Sequence, residues 1–249
     1  MVSLLVPTYR RWESGDKQRV WGDLRVLLAS LKEYAPGFEV IVAWDGPEEP
    51  RHLPDNPSVR LLKRPEGLTT CSEAWNWCTD QTDSEDLVFV GDDTIFHPDS
   101  LRLLLEDALM LTQHVDSLRV GMVGVRSNFV KGAQNIREAN GSARAGIGFA
   151  SEGSVVETAM IAPVVAWMQR SVFEEVGRFQ ATNWFQDDLI SWDLQRLGYR
   201  HFVSRSYVHH VGQRGTGQGK SSQDLLDEGL SWLRSNRPDY LTQVLGIPA

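Results

Sequence analysis

Residues 86–101 read DLVFVGDDTIFHPDSL. Leu87, Val88, Phe89 and Val90 form an unbroken apolar run of strand-forming residues, which predicts a strand buried on both faces, as in the middle of a mostly parallel sheet. The run ends in Gly91, Asp92, Asp93 and Thr94, so two adjacent carboxylates fall where the strand stops and the chain turns. In an open α/β sheet that edge is where ligands bind. Gly-Asp-Asp is equally the composition of a solvated turn, and the segments upstream decide between the two.

Those segments alternate strand and helix. Ser3 to Val6 reads as a strand ended by Pro7, with Thr8, Tyr9 and Arg10 at its carboxyl end. Val20, Leu24, Leu27, Leu28 and Leu31 recur at helical spacing, predicting an amphipathic helix from about Arg19 to Tyr34 that stops at Pro36-Gly37. Glu39 to Trp44 is a second strand running into Asp45, and Val59 to Leu62 a third running into Lys63 and Arg64. Thr70 and Glu73 have the spacing of a capping box and open a helix through Cys78. After the strand at Leu87, Pro98-Asp99-Ser100 opens another helix through Leu109. The order β-α-β-β-α-β-α implies a wound, mainly parallel sheet whose strand ends lie on one side.

On that architecture Thr8, Asp45, Arg64 and the Asp92/Asp93 pair converge on one crevice. A carboxylate, then a cation, then two carboxylates suits a nucleotide diphosphate held through a divalent metal, because Mg²⁺ and Mn²⁺ are commonly bound by one or two carboxylates plus substrate phosphates. The chain has neither a Gly-x-Gly-x-x-Gly after its first strand nor a Gly-x-x-x-x-Gly-Lys-Ser/Thr, so dinucleotide and P-loop readings drop out.

At 249 residues, 41% hydrophobic and 23% charged, the composition is that of an ordinary folded domain. The formal charge of −8 argues against a broad electrostatic hold on nucleic acid or anionic lipid. Cys71 and Cys78 lie on one expected helix, roughly 10 Å apart along its axis, too far for a disulfide. The apolar run in MVSLLVPTYRR is too short for a signal peptide or a membrane span, and a cytoplasmic protein is expected.

In the second half Val120 to Val125 is a further buried strand, and Lys131 to Gly153, rich in Gly, Ala, Ser and Asn, reads as a long loop. Ala159 to Met168 holds an apolar strand broken at Pro163. Ser171 and Glu174 again have capping-box spacing, opening a short helix closed by Gly177. From Asn183, the residues Phe185, Leu189, Trp192, Leu194 and Leu197 support a helix ending at Gly198, with Asp187 and Asp188 in its first turn, where the dipole favours negative charge. Arg200 to Val203 and Tyr207 to Val211 read as two short strands. His209 and His210 must point to opposite faces. Gln213 to Gln223 reads as a flexible loop carrying Arg214 and Lys220, either closing over a bound diphosphate or serving as a plain linker to a last amphipathic helix that runs from about Ser222 to Arg234.

Several of these stretches, in this order, resemble the inverting nucleotide-sugar glycosyltransferases of the GT-A fold, in particular the family 2 group. They are LLVPTYRR, VIVAWDGP, RPEGLTTCSEAWN, FVGDDTIFHPDSL, AWMQRSVFEEVGRF, FQDDLISWDLQRLGYR and VHHVG, together covering roughly residues 2–212. The departure is at the DxD-type motif, whose first position is Gly91.

The resemblance implies an α/β, Rossmann-like wound sheet flanked by helices, with a small mixed sheet on the acceptor side. A nucleotide-binding half at 1–125 and an acceptor and catalytic half at 126–212 would form one domain, with 213–249 packing on it. Pro7, Thr8 and Tyr9 would line the nucleotide pocket, Asp45 would bond the base, and Arg64 and Arg214 would lie near the nucleotide or diphosphate. Asp93 would hold Mn²⁺ or Mg²⁺, with Asp92 on the ribose or beside the metal and His210 as a further metal or diphosphate contact. One of Asp188 and Asp187, with Asp188 put first, would be the general base on the acceptor hydroxyl. The activity implied is metal-dependent, inverting transfer of a sugar from a nucleotide diphosphate to a hydroxyl acceptor. Other readings stay open: a sugar-1-phosphate nucleotidyltransferase, a binding module without turnover, and a DNA-base glycosyltransferase using a local groove of Arg137, Arg144, Arg214 and Lys220.

Overall fold

The computed structural model describes residues 1–8, 22–45, 49–114, 117–136, 153–211 and 221–248. Tyr9, Arg137, Arg144, Arg214 and Lys220 lie outside them, as do residues 137–152 of the long loop and 213–220 of the closing loop named above.

Among the described residues the core is a nine-stranded sheet. Strands β1 (Val2–Thr8), β2 (Glu39–Trp44), β3 (Val59–Lys63) and β4 (Asp86–Val90) run parallel in the order β3-β2-β1-β4. Helices α1 (Gly22–Tyr34), α2 (Cys71–Thr79) and α3 (Ser100–His114) connect or follow them. The sheet continues through β8 (Val165–Gln169), antiparallel to β4, then β6 (Val120–Ser127) and β9 (Arg200–His210), with β5 (Thr94–Phe96) and β7 (Val156–Thr158) both antiparallel to β9.

The alternation of side chains along each central strand builds two cores. Leu4, Val6, Val88 and Val90 face Leu24, Leu27, Leu28 and Leu31 of α1 and Leu101 and Leu104 of α3. Leu5, Leu87 and Phe89 face the opposite way, onto Trp75 of α2, Phe173 of α4 (Arg170–Glu175) and Leu194 of α5 (Gln186–Arg196). Leu87 through Val90 are fully buried, so this strand needs apolar groups on both faces, each contributing about 1.5–3 kcal/mol.

Several local expectations are corrected. Pro7 does not end β1: it pairs with Ala43 of β2. It lies beyond Leu5, the last residue paired to β4, so its missing N–H falls where the strand has a neighbour on one side only. The capping box forms at Thr70–Glu73 and does not form at Ser171–Glu174. There β8 passes straight into α4 with Gln169 at the cap and no side-chain cap bond, and the Arg170 backbone N–H donates instead to the Glu85 carbonyl. The apolar segment at 159–168 becomes strand only from Val165.

The two short strands expected at 200–203 and 207–211 are one, β9. Its register against β6 shifts between Gly124 and Arg126, and the offset residues are held by Asp107 of α3. The Asp107 carboxylate is fully buried and accepts from Ser204 Oγ at 2.6 Å, Arg205 N–H at 2.8 Å and Arg205 Nε at 2.8 Å. The mixed acceptor-side strands therefore belong to the main sheet through β9. Helices α6 (Ser222–Asn236) and α7 (Pro238–Gln243) pack Leu233, Tyr240 and Leu241 against Leu189 of α5.

Candidate active site

Because β1, β2, β3, β4 and β9 run the same way, their carboxyl ends share one edge, and the sequence-selected residues collect there. At the ends of β2 and β3, Arg64 Nη2 lies 2.6 Å from Asp45 Oδ2, with the Arg64 side chain 7% exposed. Asp45, Lys63, Arg64 and the turn 65–68 line a cleft of about 570 Å³. The two charges are paired with one another rather than pointing separately into solvent.

At the ends of β1 and β4, Thr8 Oγ1 donates to Asp92 Oδ2 at 2.6 Å. Burial, and then the adjacent Asp93 carboxylate, push Asp92 up to about 7, against the Thr8 bond, which favours the ionised form. Asp93 turns the other way, with Oδ1 at 3.2 Å from His210 Nε2. Burial disfavours a charged His210 ring, but the Asp93 carboxylate outweighs it and raises the imidazole above its ordinary value. The Asp93 carbonyl accepts from the Val211 N–H at 2.9 Å, and Thr94 pairs with His210 in the β5–β9 ladder. This short strand fixes the distance between the acid pair and the histidine.

Cys71, at the start of α2, ties the two clusters together. Burial pushes its thiol up first, and the charges of Asp92, Arg64 and Asp93 all reach it. Its N–H donates to Asn183 Oδ1 at 3.3 Å, and the neighbouring Ser72 hydroxyl bonds the Thr182 carbonyl at 2.7 Å and the Gln186 side chain. The start of α5 is thereby pinned beside the start of α2.

That start carries Asp187 and Asp188. Phe185 precedes them in the left-handed region, φ 69°, a conformation that costs a non-glycine residue about 1–3 kcal/mol and marks a place the surroundings dictate. Gly229 of α6 makes room for it: a Cβ there would lie 2.9 Å from Trp184 Cβ and 3.0 Å from the Phe185 ring. Both carboxylates converge on one cation, Lys131 Nζ, at 2.8 Å from Asp187 and 2.6 Å from Asp188. Burial raises Asp187, with Lys131 pulling it down and Asp188 pushing it up.

Lys131 was not visible in the sequence, and neither was its support. Asn128 Oδ1 accepts from the His210 N–H at 2.7 Å and Asn128 Nδ2 donates to the His210 carbonyl at 3.0 Å, while the Phe129 carbonyl meets His210 Nδ1. On the other side, buried Gln134 bonds the Val125 and Ala162 carbonyls and accepts from the Ala162 N–H. The segment 128–134 thus bridges the His210 side of the site to the Asp187–Asp188 side. Nothing in the pattern singled out Lys131 or Gln134.

Pro7 lies in β1 beside Thr8, and Tyr9 and Arg214 fall outside the described residues. Among the described residues no group of three or more His, Cys, Asp or Glu side chains is arranged to hold a metal, and no helix is long and apolar enough to cross a membrane.

Comparison with known families matches residues 3–177 to the model of Glycosyl transferase family 2. Thr8, Asp45, Arg64, Asp92 and Asp93 lie within the matched residues, and Asp187, Asp188 and His210 beyond them. Comparison with curated proteins gives no match. Among solved structures the fold is similar to that of S. aureus TarS 1-349 in complex with UDP-GlcNAc, with TM-score 0.56 and 15% identity over 91% of this chain and 63% of that one. A second structure of S. aureus TarS 1-349 gives TM-score 0.54 and 14% identity over 84% of this chain and 60% of that one. The chain therefore spans less than two thirds of these neighbours, and at this identity the likeness is one of fold.

Proposed function

Because the chain belongs to glycosyl transferase family 2, we propose that it transfers a sugar from a nucleotide diphosphate donor to a hydroxyl acceptor, with inversion and with a divalent cation on the diphosphate. The observation that carries this reading is the meeting of Thr8, Asp92, Asp93 and His210 at one strand edge, next to the cleft of Asp45 and Arg64.

The cleft would take the nucleoside, with Asp45 a hydrogen-bond acceptor for the base and Arg64 a cation for the phosphates. Uridine diphosphate sugars are the first donors to test, since a neighbour in fold was solved with UDP-GlcNAc.

The Asp93 carboxylate fits a cation of the Mn²⁺ or Mg²⁺ class, which is commonly bound by one or two carboxylates and fills its remaining positions with phosphate oxygens and water. Asp93 and His210 would hold it, and when bound it would neutralise charge on the departing diphosphate. Asp92, bonded to Thr8, would keep the turn in place and accept a ribose hydroxyl.

On the acceptor side, Asp188 would take the proton of the attacking hydroxyl, which an inverting transfer needs on the face opposite the leaving group. Its side chain is 25% exposed against 15% for Asp187, and Asp187 Oδ1 already accepts the Asp188 N–H at 3.1 Å. Asp188 is the better placed of the two to meet a substrate.

The test is thermal stability against a panel of nucleoside diphosphates, each with Mn²⁺ or with chelator, on the wild type and on Asp93→Ala. A ligand at roughly 100 times its dissociation constant adds about 2.7 kcal/mol. A gain for one base that needs both the metal and Asp93 supports the reading. No gain with any diphosphate in a folded protein overturns it.

A further inference from the structure

We propose that Lys131 is a positioning residue: held over the start of α5 by the 128–134 segment, its ammonium bridges Asp187 and Asp188 and aims both carboxylates at one point. The proposal rests on the reading of this pair as the acceptor-side base.

Two neighbouring carboxylates on the first turn of a helix repel each other, and burial disfavours charge on either. The helix N-terminus offsets part of this. Lys131 Nζ is within 2.8 Å of Asp187 and 2.6 Å of Asp188, so one cation bridges both. The other groups facing the pair do not take its place. Tyr240 of α7 feels both aspartates and is pushed up to about 12 by burial and then by them, so it stays neutral. His201, beneath α5, meets the Ser191 carbonyl and is lowered by burial. Arg237 is committed to Asp193 and Asp239.

Lys131 is also placed rather than loosely tethered. Asn128 grips both backbone groups of His210 on one side of it, and Gln134 is sewn to β6 and to Ala162 on the other. A cation fixed by the donor edge of the site, and bonded to the acceptor edge, sets the direction of the base relative to the sugar it serves.

The experiment is a carbon-detected NMR titration of the aspartate carboxyls on the full chain, in wild type, Lys131→Met and Lys131→Arg, with Asp187→Asn and Asp188→Asn providing assignments. In Lys131→Met the proton affinity of Asp187 should rise about tenfold or more, and Lys131→Arg should restore the wild-type titration. An unchanged Asp187 titration in Lys131→Met overturns the proposal; if that variant does not fold, Lys131→Gln is read in the same way. A parallel assay follows UDP release from UDP-GlcNAc with Mn²⁺. A shifted carboxyl titration with release indifferent to both aspartate substitutions overturns the base reading alone and leaves the electrostatic role of Lys131 standing.

Discussion

Arg64 and Asp45 hold one another at 2.6 Å across the ends of β3 and β2, so the cleft they line is built on an ion pair. The pair fixes the Asp45 carboxylate against the Arg64 guanidinium in the wall of that cleft. Truncating Arg64 leaves a partly buried carboxylate without this partner. Arg64→Ala should lower stability by about 2–4 kcal/mol in urea denaturation and weaken diphosphate binding at least tenfold in calorimetry. Equal affinity in the two proteins would remove Arg64 from the pocket.

Asp92 provides a pH signature. Its folded-state proton affinity lies above that of an exposed carboxylate, up to about 7. Such a group contributes its full stability below the unfolded carboxylate range and loses it as pH rises from about 4 through about 7. Without divalent cations, the stability of wild type relative to Asp92→Asn should therefore fall by roughly 2–4 kcal/mol between pH 4 and pH 8. Adding Mn²⁺ should flatten that fall, because a cation beside Asp93 favours the ionised form. Denaturation curves at stepped pH, with and without metal, read both effects.

Donor and acceptor functions should separate by mutation. Asp188→Asn should cut turnover by about 10²–10⁴ while leaving the metal-dependent diphosphate shift in melting temperature intact. Asp93→Ala should abolish the shift and the turnover together. A variant of Asp188 that loses diphosphate binding as well would place that residue on the donor side.

Gly229→Ala tests the support of α5 from outside the site. The added methyl would meet Trp184 and Phe185 inside van der Waals contact, and overpacking of this kind costs about 1–3 kcal/mol. Since Phe185 sets the entry to Asp187 and Asp188, turnover should fall with diphosphate binding unchanged, measurable by a single preparation assayed for both.

Much of the donor half was legible because one physical rule fixed each feature. Leu87 to Val90 has no polar side chain, which only a strand covered on both faces accommodates. Thr70 and Glu73 form a capping box from chain-local bonds. The alternation of side chains on a strand allowed only one of His209 and His210 to face the site, and the family resemblance pointed to His210. What was not legible depends on partners distant in sequence. Thr94 to Phe96 is too short to show a period, and becomes strand only by pairing with residues 208–210. Ser204-Arg205-Ser206 looks like a break, and Asp107 makes it the middle of one strand. Ser171 has the right spacing for a cap, but the direct passage of β8 into α4 puts it inside the helix. Lys131 carries no local signal at all, since its meaning comes from two carboxylates on another element.

Asp107 itself lies on α3, and among the described residues its carboxylate bonds Ser204 and Arg205 and none of the residues proposed for donor or acceptor. Yet its three bonds to Ser204 and Arg205 set where the last turn of pleat in β9 points, and His210 is the final residue of that strand. The histidine is in effect the tip of a lever whose fulcrum is a buried carboxylate. If His210 holds a cation as proposed, damage at the fulcrum would present in an assay as a defect in cation affinity, and a search for its cause confined to the cleft would miss it.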